Sequence, residues 1–187
     1  MIAEIINETT DAVVAAIKGV DDILDAVTAT VKNQVVGALK DSGEASNTGV
    51  DVVTSVASGA IKGAGQVGAS LTDVASGTMG GVISGVSEVG SDIISAIRGG
   101  VKGVVQATAE TGGDVGAVAV SAVEGTIKSV GKVGADTSEA VKAAVGGAMD
   151  AATSIGGDGA QKVRDALLSA TALPRDVIES VLKGDNK

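Results

Sequence analysis

No cysteine, histidine, phenylalanine, tyrosine or tryptophan occurs among the 187 residues, and there is a single proline, Pro174. The missing cysteine and histidine exclude disulfides, thiolate nucleophiles, imidazole bases and the usual ligand sets of zinc, haem and iron–sulfur sites. The missing aromatics remove the largest apolar pieces from any interior, together with the platforms on which single-stranded nucleic acids stack. Positive charge is also scarce. Against 23 Asp and Glu there are 14 Lys and Arg, and the net charge of −9 opposes phosphate backbones and anionic headgroups. No nucleic-acid partner, cofactor or metal is expected, and the chain is not expected to be an enzyme.

Long hydrophobic runs are absent as well. The longest uncharged stretch, Val74 to Ser87, has 14 residues, short of the roughly 20 that a membrane-spanning helix needs. The opening MIAEIINETTDAVVAAIKG has neither a basic region nor an unbroken apolar segment, so no secretory signal is expected. The chain is nonetheless unlike a disordered one, which combines low hydrophobicity with high charge. Its residues are 44% hydrophobic and its mean hydropathy is +0.38, so it is expected to bury surface.

What is present is a repeat. Ala16-Ile17-Lys18-Gly19 returns as Ala60-Ile61-Lys62-Gly63 after 44 residues and as Thr126-Ile127-Lys128-Ser129 after a further 66, both multiples of eleven. Cut into rows of eleven from Met1, the chain fills 17 rows without an insertion. Columns one, two, five, six and nine are mostly Val, Ile, Leu, Ala or Gly, whereas columns three, seven, ten and eleven carry most charges and amides. Eleven residues make three turns at about 3.67 per turn, which predicts long α-helices with a slight right-handed supercoil. The apolar columns then share an arc of about 130°. Neighbouring apolar columns argue against alternating strands, although windows such as Ala117 to Val123 keep a β-solenoid of 22-residue coils as an alternative.

A second layer has period 22. Gly37, Gly59, Gly81, Gly103, Gly125 and Gly147 hold column four of alternate rows, and Gly68, Gly90, Gly112, Gly134 and Gly156 hold column two of the rows between. Asp92, Asp114, Asp136 and Asp158 hold column four of those intervening rows. Composition divides the chain into an amphipathic helical segment at 1–42 with two glycines, a Gly-rich repeat region at 43–159 with 25, and an amphipathic helical segment at 160–187 with one. Bends are expected at Ser42 to Gly49, at Gly156 to Gly159 and at Leu173-Pro174, with a last helix through Asp176 to Lys183 stopped by Gly184.

Glycine inside a helix costs about 1 kcal/mol relative to alanine, so this many must be offset by something outside the helix. Close approach of another helix is the physical return. The eleven glycines of the two series are therefore the expected helix-packing residues. They lie about 160° apart at about 98° per residue, which suits neighbours on two sides, as in a wall, ring or tube. An antiparallel bundle folded back within one chain is the other way to use both sides.

Three patterns resemble chemical sites and are not expected to be such. Gly63-Ala64-Gly65-Gln66-Val67-Gly68 fits G-x-G-x-x-G, but no βαβ context surrounds it. Gly125 to Val133 approaches a phosphate-binding loop with one residue too many, and Val133 stands where Ser or Thr would hold magnesium. The four aspartates recur every 22 residues, about 33 Å along one helix, too far apart to share a calcium ion. They are expected to form a solvated acidic rung.

The tandem 11- and 22-residue amphipathic repeats resemble those of exchangeable apolipoproteins, perilipins, synucleins and some late-embryogenesis proteins. The resemblance covers most of the chain in period and apolar face, without a specific motif, and implies a coat for lipid or another apolar surface. The chain departs from those families in its glycines, its missing aromatics and polybasic flank, and its acidic total. Its glycine rows resemble glycine-zipper helix packing. The expected fold is all-α, with long hendecad-repeat helices and Gly-mediated close packing. The expected function is that of a non-enzymatic structural protein, its partner being itself, that self-assembles through Gly-lined helix faces into a filament, tube or sheet. A coat for lipid or another apolar surface is the alternative, and a phage-like length ruler or scaffold comes third.

Overall fold

A computed structural model describes residues 1–42 and 46–184, and among these the only regular structure is α-helix. The helices are α1 (Ile2–Ile17), α2 (Ile23–Ser42), α3 (Ser46–Val67), α4 (Leu71–Val89), α5 (Ile93–Glu110), α6 (Val115–Val133), α7 (Thr137–Ile155), α8 (Gly159–Ser169) and α9 (Arg175–Lys183). The longest, α3, has 22 residues. The long helices expected from the eleven-residue repeat are thus pieces of about one 22-residue period, folded back on one another.

A recurring turn makes the breaks. Helix α4 stops at Gly90, whose φ of 72° is left-handed and open to glycine without strain. Ser91 donates its N–H to the Val86 carbonyl at 3.1 Å. Asp92 then opens α5, its carboxylate accepting the backbone N–H groups of Ile94 at 3.0 Å and Ser95 at 3.2 Å. The turn recurs where Gly68, Gly112 and Gly134 are followed, two residues on, by the caps Ser70, Asp114 and Asp136. Ala69, Gly113 and Ala135 repeat the bond that Ser91 makes. Asp158 holds the same place before α8 without a side-chain cap bond. Asp92, Asp114 and Asp136, expected as a solvated acidic rung, are therefore helix starts, and the 22-residue period is one helix plus one turn.

Such short turns fold each helix back against its predecessor, and the helices form two rows. One row contains α1, α3, α5, α7 and α9, the other α2, α4, α6 and α8. Each helix packs most extensively on the helix two places away, in its own row, and less on its chain neighbour in the other row. Helices α1 and α9 do not touch, so the array is open, of the α-solenoid kind. The three compositional segments follow one another along it: α1 and α2 pack on α3 and α4, and α8 and α9 on α6 and α7.

The core is built from small pieces, mostly valine and alanine, and Ile61, Met79, Ile83 and Ile97 are among its largest fully buried side chains. Of the expected bends, Gly156 to Gly159 is the α7–α8 turn, and Pro174 caps α9, which ends at Gly184 with φ 66°. The bend at Ser42 to Gly49 falls partly outside the described residues.

Candidate helix-packing interface

All six glycines of the first series lie inside helices, Gly37 in α2 and Gly59, Gly81, Gly103, Gly125 and Gly147 in α3 to α7 in turn. Five of them face backbone of the helix two places earlier. A β-carbon added at Gly59 would lie 2.6 Å from the Ile6 carbonyl oxygen, at Gly81 2.7 Å from that of Thr28, and at Gly125 2.6 Å from that of Ser76. At Gly103 and Gly147 it would press on the carbonyl oxygens of Thr54 and Arg98. Backbone oxygens cannot rotate away, so no side chain fits at these positions without moving a helix. One turn away, a β-carbon added at Gly63 would lie 2.8 Å from the Thr10 carbonyl oxygen, and at Gly77 and Gly85 3.0 Å from those of Leu24 and Lys32. Gly37 differs: among the described residues an added β-carbon there meets nothing within 4 Å.

Hydroxyls line the same contacts. Thr10, Thr28 and Thr54 each bond a carbonyl four residues back in their own helix, at 2.8, 2.8 and 2.9 Å. The same three hydroxyls reach the carbonyls of Gly59, Gly77 and Gly99 at 3.2, 3.1 and 3.1 Å, and Ser58 reaches that of Gly103 at 3.2 Å. A hydroxyl satisfied within its own turn thus also joins two helices. Sequence reasoning missed Thr10, Thr54 and Ser58 because it assigned columns ten and three to the polar face, and Thr28 because it stands in apolar column six, where a threonine gives no sign of a contact. A short hydroxyl 45 residues before each of Gly99 and Gly103 was the available signal.

The second glycine series lies elsewhere. Gly68, Gly90, Gly112, Gly134 and Gly156 have φ between 68° and 76° and belong to the turns, where an added β-carbon meets nothing within 4 Å. They serve the chain through backbone conformation rather than through a helix face.

Register changes once along the array. The carbonyl facing Gly103, Gly125 or Gly147 comes 49 residues earlier in the chain, whereas that facing Gly59 or Gly81 comes 53 residues earlier. Hydrogen bonds give the same difference, 45 residues for Thr54–Gly99 and Ser58–Gly103 against 49 for Thr10–Gly59 and Thr28–Gly77. The α1–α3 and α2–α4 pairs both span the α2–α3 connection, and the α3–α5 pair does not. Four extra residues, about one helical turn, therefore separate the α2 station Thr28 from the α3 station Thr54, 26 positions against the 22 from Thr54 to Ser76. The eleven-residue register, expected to run unbroken, is interrupted structurally there.

Ion pairs join the same helix pairs at the surface: Lys32–Glu88 at 2.7 Å, Lys62–Glu110 at 2.8 Å and Arg98–Asp150 at 2.8 Å. Hydrogen bonding and charge from Lys32 lower the Glu88 pKa, and bonds from the Ser95 hydroxyl and N–H lower that of Asp92. All are solvent-screened and contribute little individually. The G-x-G-x-x-G stretch is the end of α3 and its turn, and Gly125 to Val133 lies within α6, so both are helical where a phosphate loop needs free backbone N–H groups. A cleft of about 400 Å³ between the ends of α5 and α7 is lined by Gln106, Ala109, Glu110, Ser154 and Ile155, and its carboxylate is the one paired with Lys62. Among the described residues no three carboxylates converge as a metal site, and no helix is long and apolar enough to cross a membrane. Compared with known proteins, the chain matches no family model and no curated protein.

Proposed function

We propose that this chain is a non-enzymatic structural protein whose glycine-lined helix faces pack along the chain itself, making a finite, close-packed helical array. The observation that carries this reading is the placement of Gly59, Gly81, Gly103, Gly125 and Gly147, where a β-carbon would meet a backbone carbonyl of the helix two places earlier. Glycine there costs helix propensity, and the return is backbone approach that lets a core of valine and alanine fill the space between helices. A filament, tube or sheet built through the same glycines requires them to face a second chain. In the array they already face their own, which favours the finite form.

Substituting Gly81, Gly103 and Gly125 together by Leu separates the two forms. The finite array predicts a monomeric wild type and a triple variant that loses cooperative unfolding, because leucine forces the rows apart. Assembly between chains predicts a polymeric wild type that the variant disperses while its helices persist, leucine being the better helix former by several tenths of a kcal/mol per site. Sedimentation and circular dichroism read both outcomes. A lipid coat requires the rows to open so that buried valines meet the surface, and the −9 charge opposes anionic vesicles. Salt-insensitive flotation with such vesicles would favour the coat instead.

A further inference from the structure

We infer that the face of α1 and α2 turned away from the rest of the array is a built-in stop, set by charged and amide side chains at the stations where the next helices carry packing residues. The inference rests on the glycine-packed reading above. Ile6 and Thr54 hold equivalent stations, since their carbonyls face Gly59 and Gly103, and so do Thr28 and Ser76, which face Gly81 and Gly125; both pairs are 48 positions apart. The same step of 48 carries the buried α3 stripe Val52, Val56, Gly59 and Gly63 onto Glu4, Glu8, Asp11 and Ala15 of α1, all exposed. It carries Gly77, Gly81 and Gly85 of α4 onto Ala29, Asn33 and Gly37 of α2, again exposed.

On α2 small residues, Ala29 and Gly37, flank Asn33 at the centre of the contact, whereas on α1 Asp11 stands at the centre with Ala15 on one side and Glu8 and Glu4 on the other. At the station of Gly59 even a β-carbon would stand 2.6 Å from a carbonyl oxygen. A carboxylate there would set negative charge against that oxygen, with Glu4 and Glu8 beside it, so another helix of the same kind is repelled rather than received. Gly37, with nothing among the described residues within 4 Å of an added β-carbon, is the packing position left bare at this edge. Polar outer faces on terminal units are how stacked-helix arrays stay soluble and finite.

Replacing the stop by the residues found at the same stations of α3 and α4, as E8V/D11G/N33G, should open the edge to a second copy of the chain. Two copies carry the same opened face, so the pairing is two-fold. In analytical ultracentrifugation the wild type is expected at 17.9 kDa and the variant at twice that mass at the same concentration, with unchanged helical ellipticity. E139V, an equally exposed change away from this edge, should stay monomeric. A variant that remains monomeric, or an E139V control that dimerises as well, overturns the stop and leaves the glycine-packed array standing. A wild type that already associates and is dispersed by G81L/G103L/G125L overturns the array reading and the stop with it.

Discussion

Gly81→Ala and Gly37→Ala make the same chemical change in the interiors of two helices and should move stability in opposite directions. Both gain about 1 kcal/mol in helix propensity. At Gly37 none of the described residues lies within 4 Å of the new methyl group, so the gain stands alone. At Gly81 the methyl carbon would lie 2.7 Å from the Thr28 carbonyl oxygen, 2.7 Å from the Val31 β-carbon and 2.9 Å from the Lys32 nitrogen. Carbon contacts are most favourable at about 3.5–4.0 Å, so α2 must recede from α4 by roughly an ångström. Overpacking of this kind costs about 1–3 kcal/mol. The propensity gain cancels between the variants, so their difference isolates the overlap, about 1–3 kcal/mol in favour of Gly37→Ala. At about 2–4 °C per kcal/mol for a chain of this size, the thermal midpoints should differ by roughly 2–12 °C. Far-UV circular dichroism is the assay, because the chain has no aromatic residue for fluorescence. A Gly81→Ala midpoint equal to or above that of Gly37→Ala would refute the claim that these helices touch through backbone at Gly81.

The turns give two further tests. Asp92→Ala should cost about 1 kcal/mol by removing a helix cap. Because the Ser95 bonds lower the Asp92 pKa in the folded state, the cap's contribution is complete above the unfolded pKa and disappears as pH falls through the folded one. The difference in thermal midpoint between wild type and Asp92→Ala should accordingly shrink from roughly pH 5 downward. Gly112→Ala, where φ is 74° and space is open, should destabilise by about 1–2 kcal/mol through backbone strain alone, with Gly112→Asn losing less; a stabilised Gly112→Ala, measured by the same midpoints, would contradict the left-handed turn.

The all-α class could be read from the sequence because columns one and two, and five and six, are apolar together, which only a helical period satisfies. That the first glycine series lies inside helices could be read for the same reason, as its members sit in phase with the helical columns. Period 22 was misleading about length. A helix and turn of 22 residues return each residue to the same environment one step along the array, so they leave the same spacing in the sequence as two hendecads of continuous helix. The distinguishing signal was Gly90-Ser91-Asp92 and its counterparts Gly112-Gly113-Asp114 and Gly134-Ala135-Asp136, where a left-handed helix end stands two residues before a carboxylate cap. The four-residue slip between α2 and α3 was hidden because the columns realign by composition even where the helices do not. Hydroxyls such as Thr10 and Thr28 were unreadable as contacts, since a threonine bonded to its own helix looks the same in sequence whether it faces solvent or a glycine.

The central claim, that each helix packs on the helix two places away within one chain, is tested most directly at Lys32–Glu88 and Lys62–Glu110, which meet at 2.7 and 2.8 Å across such pairs. A zero-length carbodiimide reagent joins amine to carboxylate only at this kind of contact. Applied to an equal mixture of isotopically light and heavy protein and followed by mass spectrometry of the digest, it should yield both cross-linked peptides as all-light and all-heavy species. Cross-links combining a light with a heavy peptide at these two sites would show that the contacts are made between chains and would contradict the account.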